Sequence, residues 1–160
     1  MLWGSFADRE ATKGLSPLLP MCAEGVLLAD SETPDRVQTT PGRRTPPPTT
    51  EELDYHRYAL TDLLDDLRGC PDPLERVYLV THLLQRAAEL ALLTDGHWLG
   101  GGKWLSRRLA AADPDLHTHL TEAASAALST PTAEPALFTA AVEEILDRTG
   151  GPLWTGYSRR

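Results

Sequence analysis

The densest set of chemically capable residues lies between Gly96 and Arg108, which reads GHWLGGGKWLSRR. Three glycines, Gly100 to Gly102, run into a segment led by Lys103, with Arg107 and Arg108 one turn further on. Free amides at a helix start, with the macrodipole behind them, attract anions, and glycine lets a phosphate approach the backbone. Lys103 and Arg107 are i,i+4 neighbours, so both heads can reach one ligand. Trp98 and Trp104 offer flat faces suited to a base or a sugar ring. Lys103, Arg107 and Trp98 are therefore the candidate cofactor-binding residues, and Trp104 a substrate contact. The GxxxxGK[ST] spacing of a phosphate-binding P-loop is missing. The same pattern also fits a plain glycine-rich connection with tryptophans in the core and cations in water.

Three further clusters could do chemistry. Asp62, Asp65 and Asp66 fall at i, i+3 and i+4 on one helical face, an acidic patch for an amine-bearing ligand or simply a solvated surface. Tyr55 and Tyr58 flank that face and could wall a cleft. His82, Gln85, Arg86 and Glu89 form a polar stripe on the next helix, where a desolvated Glu89 would serve as general base. Glu89, Asp62 and His82 are thus the candidate acid–base residues, and Tyr58 and Asp65 join the candidate substrate contacts. Arg76 and His82 also match the R-x4–6-H spacing of helical ribonucleases of the HEPN class, which resembles this segment in two residues only. His117 and His119, two apart on a helix, do not face each other, so no zinc pair is expected there. No metal site is assigned. Ser5 lies in no GxSxG context.

These residues need helices to position them, and the composition provides for that. The 160 residues are close to one domain's length. Leucine and alanine together make up more than a quarter of the chain, which favours an all-α fold over a sandwich or barrel. Two cysteines, Cys22 and Cys70, cannot build a disulfide scaffold. No apolar run is long enough to span a membrane, and the first residues lack a signal-peptide pattern, so a cytoplasmic location is expected. A formal charge of −8 opposes broad nucleic-acid or anionic-membrane binding. Residues 50–160 hold 17 acids against 10 bases, yet residues 96–112 contain no acid at all. The basic motif is an island in an acidic domain.

Residues 1–33 should be an extended arm with at most one strand, Gly25 to Asp30 (GVLLAD). Five prolines between residues 34 and 50 predict a stiff linker. The helical domain then covers 51–160. Thr49 with Glu52 makes a capping box, and Leu53, Leu60, Leu63, Leu64 and Leu67 form a stripe that stops at Gly69. Asp72-Pro73 opens a second helix carrying Val77, Val80, Leu83, Leu84, Ala87, Ala88 and Ala91, expected to be the most buried. A third should run from near Gly102 to about Ala112 and a fourth from Asp113-Pro114, carrying Leu116, Leu120, Ala124, Ala127 and Leu128. A fifth should start around Thr132 and use Leu137, Phe138, Ala141, Val142, Ile145 and Leu146. Short connections make antiparallel neighbours, hence an up-and-down bundle of four or five helices.

Three blocks, RYALTDLLDDL (Arg57 to Leu67), GGGKWLSRRL (Gly100 to Leu109) and GGPLWTGY (Gly150 to Tyr157), carry a family resemblance. From about Pro46 to Arg160 the chain resembles the C-terminal helical domain of antibiotic-type nucleotidyltransferases. That family transfers a nucleoside monophosphate, usually adenylyl from ATP, to a hydroxyl of a small molecule such as an aminoglycoside. The resemblance implies that Lys103 faces phosphates, that the Asp62 and Asp65 side faces the acceptor's amines, and that Trp154 and Tyr157 pack a closing tail, which makes Tyr157 a further candidate substrate contact. Gly4-Ser5-Phe6-Ala7 is similar to the family's Gly-Ser turn, but Leu15-Ser16-Pro17-Leu18 stands where its D-x-D should follow. Without paired carboxylates no two-magnesium site forms, so ATP with magnesium is expected to be used only if a catalytic domain is supplied. Met1 would then lie inside the ancestral catalytic domain, in a trimmed descendant or a truncated start. The expected function is binding of a nucleotide or small-molecule acceptor without transfer by this chain alone. The alternatives are an interaction module, docking a copy of itself or a separate catalytic chain, and a repurposed small-molecule enzyme.

Overall fold

A computed structural model of the chain describes residues 47–130 and 135–154. Within them the secondary structure is helical throughout: α1 (Thr50–Gly69), α2 (Pro73–Thr94), α3 (Lys103–Ala112), α4 (Pro114–Ser129) and α5 (Ala136–Arg148). Three of these begin where a short polar side chain meets an orphan amide. Thr49 Oγ1 accepts from the Glu52 amide at 3.2 Å, Asp72 Oδ1 from Leu74 at 2.7 Å, and Asp113 Oδ1 from Leu116 at 2.9 Å. Proline follows the aspartate in the last two cases, at a position whose N–H would be unpaired anyway. The turn between α1 and α2 closes on itself, with Arg76 Nε donating to the Cys70 carbonyl at 2.8 Å.

Each helix packs against the next, and α2 packs against all four others, which gives the expected all-α bundle. Its core joins Leu60, Leu64 and Leu67 of α1 to Val80, Leu83 and Leu90 of α2. Leu105 and Leu109 of α3, Leu116 and Leu120 of α4, and Phe138, Val142, Ile145 and Leu146 of α5 complete it. Burying each such side chain contributes roughly 1.5–3 kcal/mol, which outweighs helix propensity in holding these elements.

The chain beyond α5 is tied back onto α1. A Schellman-type closure ends α5, with the Gly151 amide donating to the Leu146 carbonyl at 2.8 Å and Gly150 at φ 107°. Arg57 of α1 then donates to both glycine carbonyls, from Nη2 to Gly150 at 2.7 Å and from Nε to Gly151 at 3.1 Å. Asp54 pairs with the same guanidinium at 2.8 Å. Thr61 Oγ1 accepts from the Leu153 amide at 3.1 Å. A side chain at position 150 would press within 3.3 Å of the guanidinium, so glycine suits both the backbone and the space.

Three core expectations are corrected. Val77, Leu128 and Leu137 lie at the right period but are exposed, because the buried arcs of α2 and α5 begin at Val80 and Phe138 and that of α4 ends at Ala124. The fifth helix starts at Ala136 rather than near Thr132, with Pro135 as its N-cap. Proline disfavours helical backbone at the residue before it, which moves the start downstream. The N-terminal arm, the GVLLAD strand, the linker before residue 47 and Tyr157 lie outside the described residues.

Candidate functional site

The basic motif is built from a turn, an anchor and a short helix. After α2 the amides of Gly96 and His97 fold back onto the Leu93 and Leu92 carbonyls at 2.9 and 2.8 Å. Trp98 is driven inward and is 3% exposed, so it anchors the loop instead of presenting a stacking face. Gly100 then passes so close to α3 that an added Cβ would sit 2.9 Å from the Trp104 carbonyl carbon and 3.0 Å from the Leu105 nitrogen. Only glycine fits that approach without a backbone shift.

From this turn α3 presents Lys103, Trp104 and Arg107 to solvent. The Trp104 ring is half exposed, with Arg107 Cζ 5.0 Å and Lys103 Nζ 6.0 Å from its centroid. Two cations held over one indole, in a stretch without an acid, gather positive charge beside an aromatic ring. The backbone contributes less than expected. Trp104 N donates to the Gly101 carbonyl at 3.2 Å and Leu105 N to the Gly102 carbonyl at 3.1 Å, so two of the first-turn amides are taken by the loop. An anion here would be held mainly by side chains.

The other predicted residues fall into separate places. Asp62, Asp65 and Tyr58 line the exposed side of α1. That helix packs on α2 and α5, whereas α3 packs on α2 and α4, so the acids and the cations share no substantial interface. His82 and Gln85 of α2 are exposed, and Glu89 turns into the α1–α2 seam with only 12% of its side chain open. Glu89 accepts from Gln85 at 2.8 Å and pairs with Arg86 at 3.3 Å. His56 of α1 places Nδ1 4.0 Å from the same carboxylate, and Arg86 lies over the Tyr55 ring. Burial with three polar neighbours lets this carboxylate act as an interhelical tie whether or not it meets a ligand.

Three features escaped sequence reasoning. His56 could have been found, because it occupies the leucine stripe between Leu53 and Leu60. The Arg57 clamp and a 2.9 Å contact between Ser106 Oγ and His117 Nε2 could not, since both depend on how helices pair. An open apolar groove of about 240 Å³ lies at the α4–α5 end, lined by Ala123, Ala127, Pro135 and Phe138 among others, and no predicted site residue lines it. Among the described residues no three His, Cys, Asp or Glu side chains gather as a metal site, and no helix is long and apolar enough to cross a membrane. No protein-family model matches this chain, and neither a curated protein nor a solved structure was found to match it.

Proposed function

We propose that this chain is a ligand-binding helical domain of the nucleotidyltransferase type. It takes a nucleotide or another phosphate-bearing small molecule on α3 and does not transfer a nucleotidyl group by itself. The observation that carries the reading is the exposed Lys103–Trp104–Arg107 cluster, two cations over one indole in the acid-free stretch of an acidic chain. The indole stacks a base and the cations take the phosphates. Asp62, Asp65 and Tyr58 on α1 would meet an amine-bearing acceptor from another side, which a separately supplied catalytic domain would have to bring to the nucleotide. A net charge of −8 supports small-molecule over nucleic-acid or membrane partners, and a cytoplasmic setting fits two cysteines that make no disulfide framework.

Titration calorimetry with ATP tests this. Binding that Lys103→Ala or Arg107→Ala weakens about tenfold or more, and that falls as salt rises, supports the reading. Heat of binding that is absent in the wild-type chain, or unchanged in both variants, removes it.

A second reading, an interaction module, is favoured by one specific observation. Leu74, Val77 and Tyr78 stand at i, i+3 and i+4 on α2, with Leu74 75% and Tyr78 80% exposed. Side chains of that size left in water on one helix face suit a protein partner or a second copy of this chain. A concentration-dependent molar mass that Tyr78→Glu returns to the monomer value would favour it. A monomer at every concentration, with no partner that co-purifies, would count against it.

A further inference from the structure

Ser106 is bonded differently from five other hydroxyls on these helices. Thr61, Thr81, Thr94, Thr118 and Ser129 each donate back to the carbonyl one turn earlier, at 2.7 to 2.9 Å. Ser106 Oγ instead meets His117 Nε2 at 2.9 Å across the α3–α4 seam. The serine is exposed and the histidine half-buried, so the pair stands at the solvent edge of the seam. We propose that Ser106 and His117 form a nucleophile–base pair that accepts an acyl group from activated esters bearing a negative charge.

The residues around the pair set that substrate class. Lys103 lies one turn before Ser106 and Arg107 directly after it, so an anionic ester is drawn to this side of α3. The carboxylate one turn before His117 is engaged elsewhere: Asp113 Oδ1 accepts from the Leu116 amide and Oδ2 sits 3.5 Å from Arg148. A base without that support removes the proton less effectively, so the leaving alcohol must itself be acidic. In the acylation step Ser106 Oγ bonds to the ester carbonyl carbon as its proton passes to His117 Nε2. The bond from that carbon to the alcohol oxygen breaks, and the alcohol either takes the proton from His117 or leaves as its anion while His117 gives that proton to water. Water then attacks the acyl-serine with His117 again as base, releasing the acid and the free hydroxyl.

The test uses the full chain with two esters, neutral p-nitrophenyl benzoate and the anionic mono-p-nitrophenyl ester of terephthalic acid, whose carboxylate cannot reach its own ester carbonyl. Peptide mass mapping is expected to find the acyl group on Ser106, with nitrophenolate released faster from the anionic ester. Ser106→Ala should abolish that adduct. His117→Ala and His117→Gln should each slow acylation about a hundredfold, the lower range for a positioned general base. Circular dichroism of the variants separates this from lost structure, and His117→Gln keeps a side chain that can still bond to the serine. Acylation confined to Lys103 or other amines, or a rate that neither histidine variant changes, overturns the proposal.

Discussion

Arg57 and Arg107 are the same residue type on helices of one bundle, and their surroundings differ completely. Arg57 is largely buried, pairs with Asp54 and donates to two carbonyls of the tail, so its hydrogen-bonding capacity serves the fold. Arg107 is exposed and lies over the face of a half-exposed indole. Polar groups that close a bundle must be satisfied from within, or the buried carbonyls they serve lose partners. A cation left in water over an aromatic ring is not required for folding and remains free to meet a ligand. Substitutions that separate stability from binding would therefore put this contrast to the test.

The largest effect is expected from Arg57→Ala. It removes the hydrogen bonds to the Gly150 and Gly151 carbonyls and leaves Asp54 without its cation. Hydrogen bonds to charged groups contribute roughly 1.5–3 kcal/mol each, with partial recovery as water enters the exposed edge. A loss of about 2–3 kcal/mol in urea unfolding is expected, with ligand binding to the folded fraction unaffected. A loss below about half a kcal/mol would mean that the tail holds without the clamp, and the contrast would fail on its structural side.

Gly100→Ala comes next. Its added methyl has no room beside the Trp104 and Leu105 backbone, and overpacking of this kind costs about 1–3 kcal/mol. Because the shift falls on the first turn of α3, binding should weaken along with the melting temperature. Gly101→Ala serves as its control, since nothing lies within 4 Å of the added atom there. If both variants behave alike, the close approach at position 100 does not hold the α3 site in place.

These expectations also mark what could be read from residues alone. The helix starts at Thr49, Asp72 and Asp113 were legible because capping is local, a side chain and an amide two or three residues apart. The leucine stripes were legible because burial repeats with the helical period. That period does not say which turns a neighbouring helix covers, and so Val77, Leu128 and Leu137 were placed inside when all three are exposed. Trp98 and Trp104 show the same limit within the site. They are six residues apart in one motif, yet one anchors the loop in the core and the other stands in solvent. The pairings of Arg57 with Gly150 and of Ser106 with His117 join helices whose mutual orientation no local pattern encodes.

On the binding side of the contrast, Lys103→Ala and Trp104→Ala should change stability by less than about half a kcal/mol, as exposed substitutions generally do. Both should still weaken ATP binding in the calorimetric titration, Trp104→Ala through lost stacking. A clear drop in stability for Trp104→Ala would show that the indole and its two cations support α3 itself, and Arg107 would then resemble Arg57 more than it differs from it.

The smallest effect belongs to the acidic face of α1. Asp62 and Asp66 are exposed like charges at i,i+4, an arrangement that costs a helix a few tenths of a kcal/mol. Asp62→Asn removes that repulsion and should raise stability by about 0.2–0.5 kcal/mol in low salt. The gain should shrink as salt approaches molar concentration, because a screening length of about 3 Å is shorter than the distance between the two side chains. The proposed function gives that charge a partner, an amine on the acceptor. The same variant should then weaken binding of an aminoglycoside in calorimetry while leaving ATP binding unchanged, since Asp62 and Lys103 stand on helices that share no substantial interface. If stability rises and neither ligand responds, Asp62 is a solvated charge, and the acceptor side of the proposed site has to be sought elsewhere in the bundle.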